Sequence, residues 1–95
     1  MGLERAPSGR AESAKAKVNL RKHRVSFADA ALALEDPRAL TMADPDASGE
    51  QRFVSLGSDP IGRVLVTVFT LRGRRMRIIS SRKVSRNERR AYESK

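Results

Sequence analysis

Reactive side chains are scarce in this sequence, and most of them are cations. His23, the one histidine, follows Lys22; Glu50 and Arg52 stand two apart; Arg63, Arg77 and the Arg82-Lys83 pair fall at the borders of apolar segments. An imidazole or a carboxylate can move a proton near neutral pH, whereas arginine, always protonated, can only hold negative charge. These are the group types that metal-free cleavage of RNA requires. The 2′-hydroxyl of the substrate is then the nucleophile, so the protein supplies a base for its proton, cations for the charge on pentacoordinate phosphorus, and an acid for the departing 5′-oxygen. DNA lacks that hydroxyl, and with no acidic cluster evident to hold Mg²⁺ a DNase mechanism has less support. No glycine loop precedes a Lys-Ser or Lys-Thr pair, and no serine sits in a nucleophile elbow. With no cysteine to supply thiolates, neither a metal nor a cofactor is expected.

Each of these residues also has a purely structural reading. His23 can cap the C-terminal end of a helix, Glu50 can pair with a nearby arginine, and Arg52 can lie along a sheet edge. Arg74 and Arg75, in Arg72-Gly73-Arg74-Arg75, fit a solvated hairpin tip that attracts phosphate without performing chemistry. Strict alternation puts Arg77 and Arg82 on opposite faces of one strand, so they can share a site only if a bulge or the strand's end reorients one of them.

The charge balance points the same way. The 95 residues carry a formal charge of +9, with cationic ends and an acidic middle: residues 72–90 hold nine bases against Glu88 alone, while residues 25–62 hold seven acids against two bases. Arginine outnumbers lysine fifteen to five, and its planar fork suits bidentate phosphate contact. A polyanion is the expected partner. Nucleic acid ranks above a membrane, because no basic amphipathic helix with bulky apolar anchors is present. The longest apolar run, Val64–Leu71, is eight residues, far short of the roughly 20 that span a bilayer. Without an apolar signal segment at the N-terminus, a cytoplasmic location is expected.

Positioning these groups falls to a chain long enough for one domain. Residues 1–10 read as a disordered leader and residues 11–95 as the domain. Ala11 to Lys22 carries a weak helical pattern in Ala11, Ala14 and Val18. Ser26 is placed as the N-cap of a second short helix over residues 27–34, with Phe27, Ala31 and Leu34 on one face. The stretch from Ala43 to Gly49 reads as a loop. Three extended segments follow, Arg52–Gly57, Arg63–Leu71 and Arg75–Ser81, joined by turns short enough for hairpins. The middle one is apolar on both faces and so reads as a central strand. Ser85-x-x-Glu88 is a capping box that should open a last helix at Arg86, with Tyr92 packing it on the sheet. The expected fold is α+β: two N-terminal helices, a three-stranded antiparallel meander and a C-terminal helix.

Lys15-x-x-x-Asn19-Leu20-Arg21-Lys22-His23-x-Val25-Ser26-Phe27-x-x-Ala30, then Asp36-Pro37, Glu50-x-Arg52-Phe53, Gly57, Arg77 to Lys83 and Glu88-Arg89-Arg90-x-Tyr92, resemble the BrnT family of toxins from bacterial type II toxin–antitoxin pairs. The resemblance covers about residues 12 to 93. It implies a RelE-like fold, a metal-independent ribonuclease that halts translation, and neutralisation by a BrnA-like antitoxin with a ribbon-helix-helix part, through which the complex would reach operator DNA. By position it makes His23, Glu50, Arg52, Arg77 and Arg82 the catalytic candidates. Lys22, Arg63, Lys83, Arg74 and Arg75 are the candidates for holding RNA. The chain departs from the family pattern where a first strand ending in Trp-Asp is usual, here Ala11 and Glu12, and where glycine usually follows the histidine, here Arg24. A missing first strand would leave a sheet edge open or covered by something else. A non-catalytic module that binds RNA or an antitoxin is the alternative reading, and a DNA-binding regulator ranks last for want of a recognition helix.

Overall fold

The computed structural model describes residues 10–47, 49 and 51–94. Residues 1–9 of the expected leader lie outside them, and so does the candidate Glu50. Residue 10 belongs to the first helix rather than to a leader: α1 spans Arg10–His23, followed by α2, Phe27–Ala33. Four strands come next, β1 (Leu40–Ala43), β2 (Arg52–Ser58), β3 (Val64–Arg72) and β4 (Arg75–Lys83), and α3 (Arg86–Glu93) closes the described chain. The sheet is antiparallel in the order β1-β2-β3-β4.

The meander therefore has four strands where the sequence suggested three. Leu40-Thr41-Met42-Ala43 is too short to display an alternating pattern, and it is mostly exposed. It is a strand because it pairs with Val54, Ser55 and their neighbours in β2. β3 lies between β2 and β4 and is buried over most of its length, as its two apolar faces require.

The two faces of the sheet carry separate cores. On one, α2 lays Ala30 and Ala33 against Leu65, with Val25 and Ile78 beside them. The buried side of α2 is thus Ala30 and Ala33, while Phe27, Ala31 and Leu34 are half-buried. Small residues are required there because α2 ends directly over Gly57: a Cβ at that position would stand 2.4 Å from the carbonyl oxygen of Ala33. On the other face Tyr92 of α3 packs with Leu56, Val64 and Val66. Its hydroxyl donates to Asp36 Oδ2 at 2.5 Å, and that carboxylate also accepts from the amides of Ser58 and Arg38. α3 is thereby tied to the α2–β1 connection.

α1 is attached through a polar residue. Asn19 is 4% exposed, and its side chain donates to the carbonyls of Ser81 (2.8 Å) and Val25 (2.9 Å) while accepting from Ser81 N (3.0 Å). Both main-chain groups of Ser81 point away from β3, and Asn19 gives them the partners that a further strand would give. The outer edge of β4 is covered here by a helix. The Ala14 and Val18 stripe is not the seat of α1; Val18 is 52% exposed.

Candidate active site

One irregularity of the sheet decides which candidates can act together. β3 and β4 are in register from Arg72↔Arg75 to Phe69↔Ile78 and again from Val68↔Ser80 to Leu65↔Lys83. Ile79 is the extra residue of a bulge. Side chains directly opposite one another share a face, so Arg77 (opposite Thr70), Ser80 (opposite Val68) and Arg82 (opposite Val66) all lie on the face of Thr70, Val68 and Val66. The bulge restores the parity that strict alternation would have broken.

The same face receives Arg52, which pairs with Thr70 from the β2 side. Arg52, Thr70 and Arg77 form a row across three strands. Thr70 is 2% exposed, and its hydroxyl makes no hydrogen bond among the described residues.

Beside the bulge, α1 and β4 enclose a groove of ≈ 330 Å³ lined by Ala14, Lys15, Val18, Asn19, Lys22, His23, Ile79 and Ser80. The last turn of α1 carries Arg21, Lys22 and His23, where positive charge is favoured by the unpaired carbonyls of the helix end. The turn after His23 is closed by Arg24, whose φ of 60° is in the left-handed region and whose amide donates back to Leu20 O at 2.9 Å. This is a conformation that glycine takes without penalty, and it accounts for the glycine expected at this position from the family pattern. The groove meets β4 at Ile79 and Ser80, between Arg77 and Arg82 in the strand.

Arg82 is not idle in this arrangement. Its two terminal nitrogens donate to the two carboxylate oxygens of Glu88, each at 2.9 Å, in the bidentate geometry that the guanidinium fork also offers to phosphate. Glu88 Oε1 accepts from Ser85 N at 2.7 Å as well, completing the capping box of α3. The Arg82 hydrogen bonds hold the Glu88 carboxyl at about 2, against the opposing effect of burial and with help from Ser85. The same contact raises the pKa of Arg82.

Other candidates lie elsewhere. Arg63 belongs to an ion network: Nε donates to Asp59 Oδ2 (2.7 Å), one terminal nitrogen to Asp29 Oδ2 (3.0 Å) and the other to Arg24 O (2.9 Å). Its donors hold the β2–β3 turn to the start of α2. Lys83 pairs with Leu65 and so lies on the opposite face from Arg82. Arg74 and Arg75 are exposed at the β3–β4 turn. Lys15, Thr70 and Glu88 were not among the candidates. Lys15 shares a helix line with Asn19 and His23 at four-residue spacing, a signal present in the sequence. Thr70 and the Arg82 contact of Glu88 depend on strand register and helix placement, which leave no local trace. Among the described residues no three His, Asp or Glu side chains gather as a metal site, and no helix is long and apolar enough to cross a membrane.

Residues 12–88 match a family model described as the ribonuclease toxin BrnT of type II toxin–antitoxin systems. Among curated proteins there is no match to the chain.

Proposed function

Because the chain belongs to the BrnT family of type II toxin–antitoxin ribonucleases, we propose that it cleaves RNA without metal, using the sheet face around the Ile79 bulge. The observation that carries this reading is the register shift that aligns Arg77, Ser80 and Arg82 on the face of Arg52 and Thr70, with His23 and Lys22 at the adjoining groove. A base, for which His23 and Glu50 are the candidates, takes the proton of the 2′-hydroxyl. The 2′-oxygen then bonds to phosphorus as the bond to the 5′-oxygen breaks, and an acid protonates that oxygen. The products are a 2′,3′-cyclic phosphate and a 5′-hydroxyl. Arg52, Arg77 and Arg82 hold the charge that builds on the non-bridging oxygens. Lys15 and Lys22 guide the adjoining backbone at the groove, and Lys83, Arg74 and Arg75 add to the attraction at longer range.

In the cell this activity would lower translation, and a BrnA-like ribbon-helix-helix antitoxin would restrain it and carry the complex to operator DNA. The test is cleavage of single-stranded RNA by the purified chain in EDTA. Arg77→Ala is expected to lower the rate by about 10²–10³, the cost of removing one preorganised charge donor, and Arg90→Ala, exposed on α3, to leave it within about twofold. RNA that stays intact while a nuclease control cuts it would sink the catalytic claim. Tight binding that survives 2′-deoxy substitution would then support the non-catalytic module instead.

A further inference from the structure

Glu88 does two jobs with one carboxylate, and only one of them needs its charge. As the third residue of α3 it accepts from Ser85 N and completes the capping box, a role that a neutral glutamine performs equally well. Its bidentate contact with Arg82, at 2.9 Å and 2.9 Å, needs a full negative charge and two acceptor oxygens. The carboxylate has the shape and charge of two non-bridging phosphate oxygens. It sits on an arginine that shares a face with Arg77. The pair is partly open to solvent, with side chains 45% and 31% exposed, so an incoming anion can reach it.

We propose that Glu88 is a resident phosphate surrogate that occupies the Arg82 fork, so that an RNA phosphate must displace this carboxylate before Arg82 can engage it. The inference rests on the reading that this face binds RNA, and it adds the residue that sets the affinity of the site. Displacement leaves α3 capped by Ser85 Oγ, which accepts from Glu88 N. The carboxylate can therefore leave Arg82 while the helix stays in place. Surface ion pairs of this kind are individually weak, which makes the contact exchangeable rather than locked.

Glu88→Gln separates the two jobs, because it keeps the box acceptor for Ser85 N and removes the charge that competes for Arg82. The probe is a six-nucleotide 2′-O-methyl RNA, which cannot be cleaved, titrated from 50 to 200 mM salt. The variant is expected to bind more tightly than the parent. In the parent a phosphate gains the Arg82 fork only as Glu88 gives it up, so the number of ion pairs there does not change, whereas in the variant one pair is added; the slope of log affinity against log salt should therefore steepen by about 0.7. Over a fourfold change in salt that slope difference alone is a change of about 2.6-fold in the ratio of the two affinities. Glu93→Gln makes the same change of net charge on the same helix, away from Arg82, where Glu93 pairs with Arg89; its slope should match the parent. In an Arg82→Met background the effect of Glu88→Gln should vanish. Equal slopes for the parent and Glu88→Gln, with helix content preserved by circular dichroism, would overturn the surrogate role while leaving the RNA-binding reading intact. Absence of binding by every variant would overturn both.

Discussion

Replacing Asn19 by leucine tests how α1, and with it His23 and Lys22, is held against the sheet. The substitution nearly preserves volume but removes three hydrogen bonds at 2.8–3.0 Å. It leaves Ser81 N–H, Ser81 C=O and Val25 C=O without their partner at a position where Asn19 is 4%, Ser81 0% and Val25 0% exposed. Each stranded group costs about 1–3 kcal/mol, partly offset by the apolar side chain, so a loss of about 3–5 kcal/mol is expected. A chain of this length has a total stability of roughly 5–14 kcal/mol, so the fold survives in some conditions but is greatly weakened. In urea the midpoint should fall by at least about 1 M at an unchanged slope, and the Ser81 amide should lose its protection from hydrogen exchange. Asn19→Asp adds a pH signature. It keeps an acceptor for Ser81 N but faces two carbonyl oxygens with a carboxylate, so burial and repulsion raise its folded pKa. Protonated, the side chain has one donor for two carbonyls, so a pH-independent loss remains; the charge-linked penalty should be absent below the unfolded value of about 3.9 and grow as pH rises towards the folded one. A loss below about 1 kcal/mol in Asn19→Leu, with Ser81 still protected, would refute the claim that Asn19 replaces a strand at the β4 edge.

Three further substitutions probe the frame around the site. Arg24→Gly relieves the left-handed φ of 60° after His23. The relief of about 1–2 kcal/mol exceeds the added backbone freedom of glycine, so thermal unfolding should report a net gain of about 0.5–1 kcal/mol. Gly57→Ala drives a Cβ to 2.4 Å from Ala33 O, a backbone atom that cannot rotate away; a loss of about 1–3 kcal/mol is expected from overpacking, and a neutral result would mean that α2 slides easily over β2. Tyr92→Phe removes the hydroxyl that, with Arg38 N and Ser58 N, keeps Asp36 below its ordinary pKa despite burial, and should cost about 1–2 kcal/mol. The contribution of Asp36 is present above its unfolded pKa and lost as pH falls through the lowered folded one, so the variant should show a shallower loss of stability in acid.

Features set by contacts a few residues apart are legible in the sequence, and those set by pairing across the sheet are not. Ser26 and Ser85 announce their helices because a cap is a contact between residues three apart. β2, β3 and β4 are visible because alternation is local, whereas β1 exists only through its partner strand. For Arg77 and Arg82 the sequence stated a condition, a bulge or a strand end between them, but its position depends on pairing with β3. Arg63 reads as an RNA-binding residue because a lone arginine before a strand carries no mark of Asp29, 34 positions away, which accepts from one of its nitrogens. Glu88 is legible as a cap and not as a partner of Arg82, since the first role spans three residues and the second needs the chain to turn after β4 so that α3 lies over the sheet face.

The pattern of charge along the chain acquires a spatial meaning from the register. Residues 25–62 hold seven acids, and three of them, Asp29, Asp36 and Asp59, are engaged around the end of the sheet where β2 finishes and β3 begins. Burial pushes the Asp59 carboxyl up, but the side chain and amide of Arg63 and the amide of Ile61 bring it below its ordinary pKa, which keeps it charged and fixed there. Arg52, Arg72, Arg74, Arg75 and Arg77 lie at the other end, where β2 begins and the β3–β4 turn falls. Had the acids been scattered evenly over the surface, much of the field of these arginines would have been cancelled within a Debye length of about 8 Å. Three carboxylates are instead spent on the opposite end of the sheet; Asp44 and Asp46, in the β1–β2 turn, lie at the arginine end with Asp44 N donating to Arg52 O, and the five arginines there outnumber them and leave that end positive among the described residues. On the proposed reading a polyanion is drawn first to the row of Arg52, Thr70 and Arg77. Glu88 is the carboxylate that meets it next at Arg82, so attraction and admission are set by different residues of the same face.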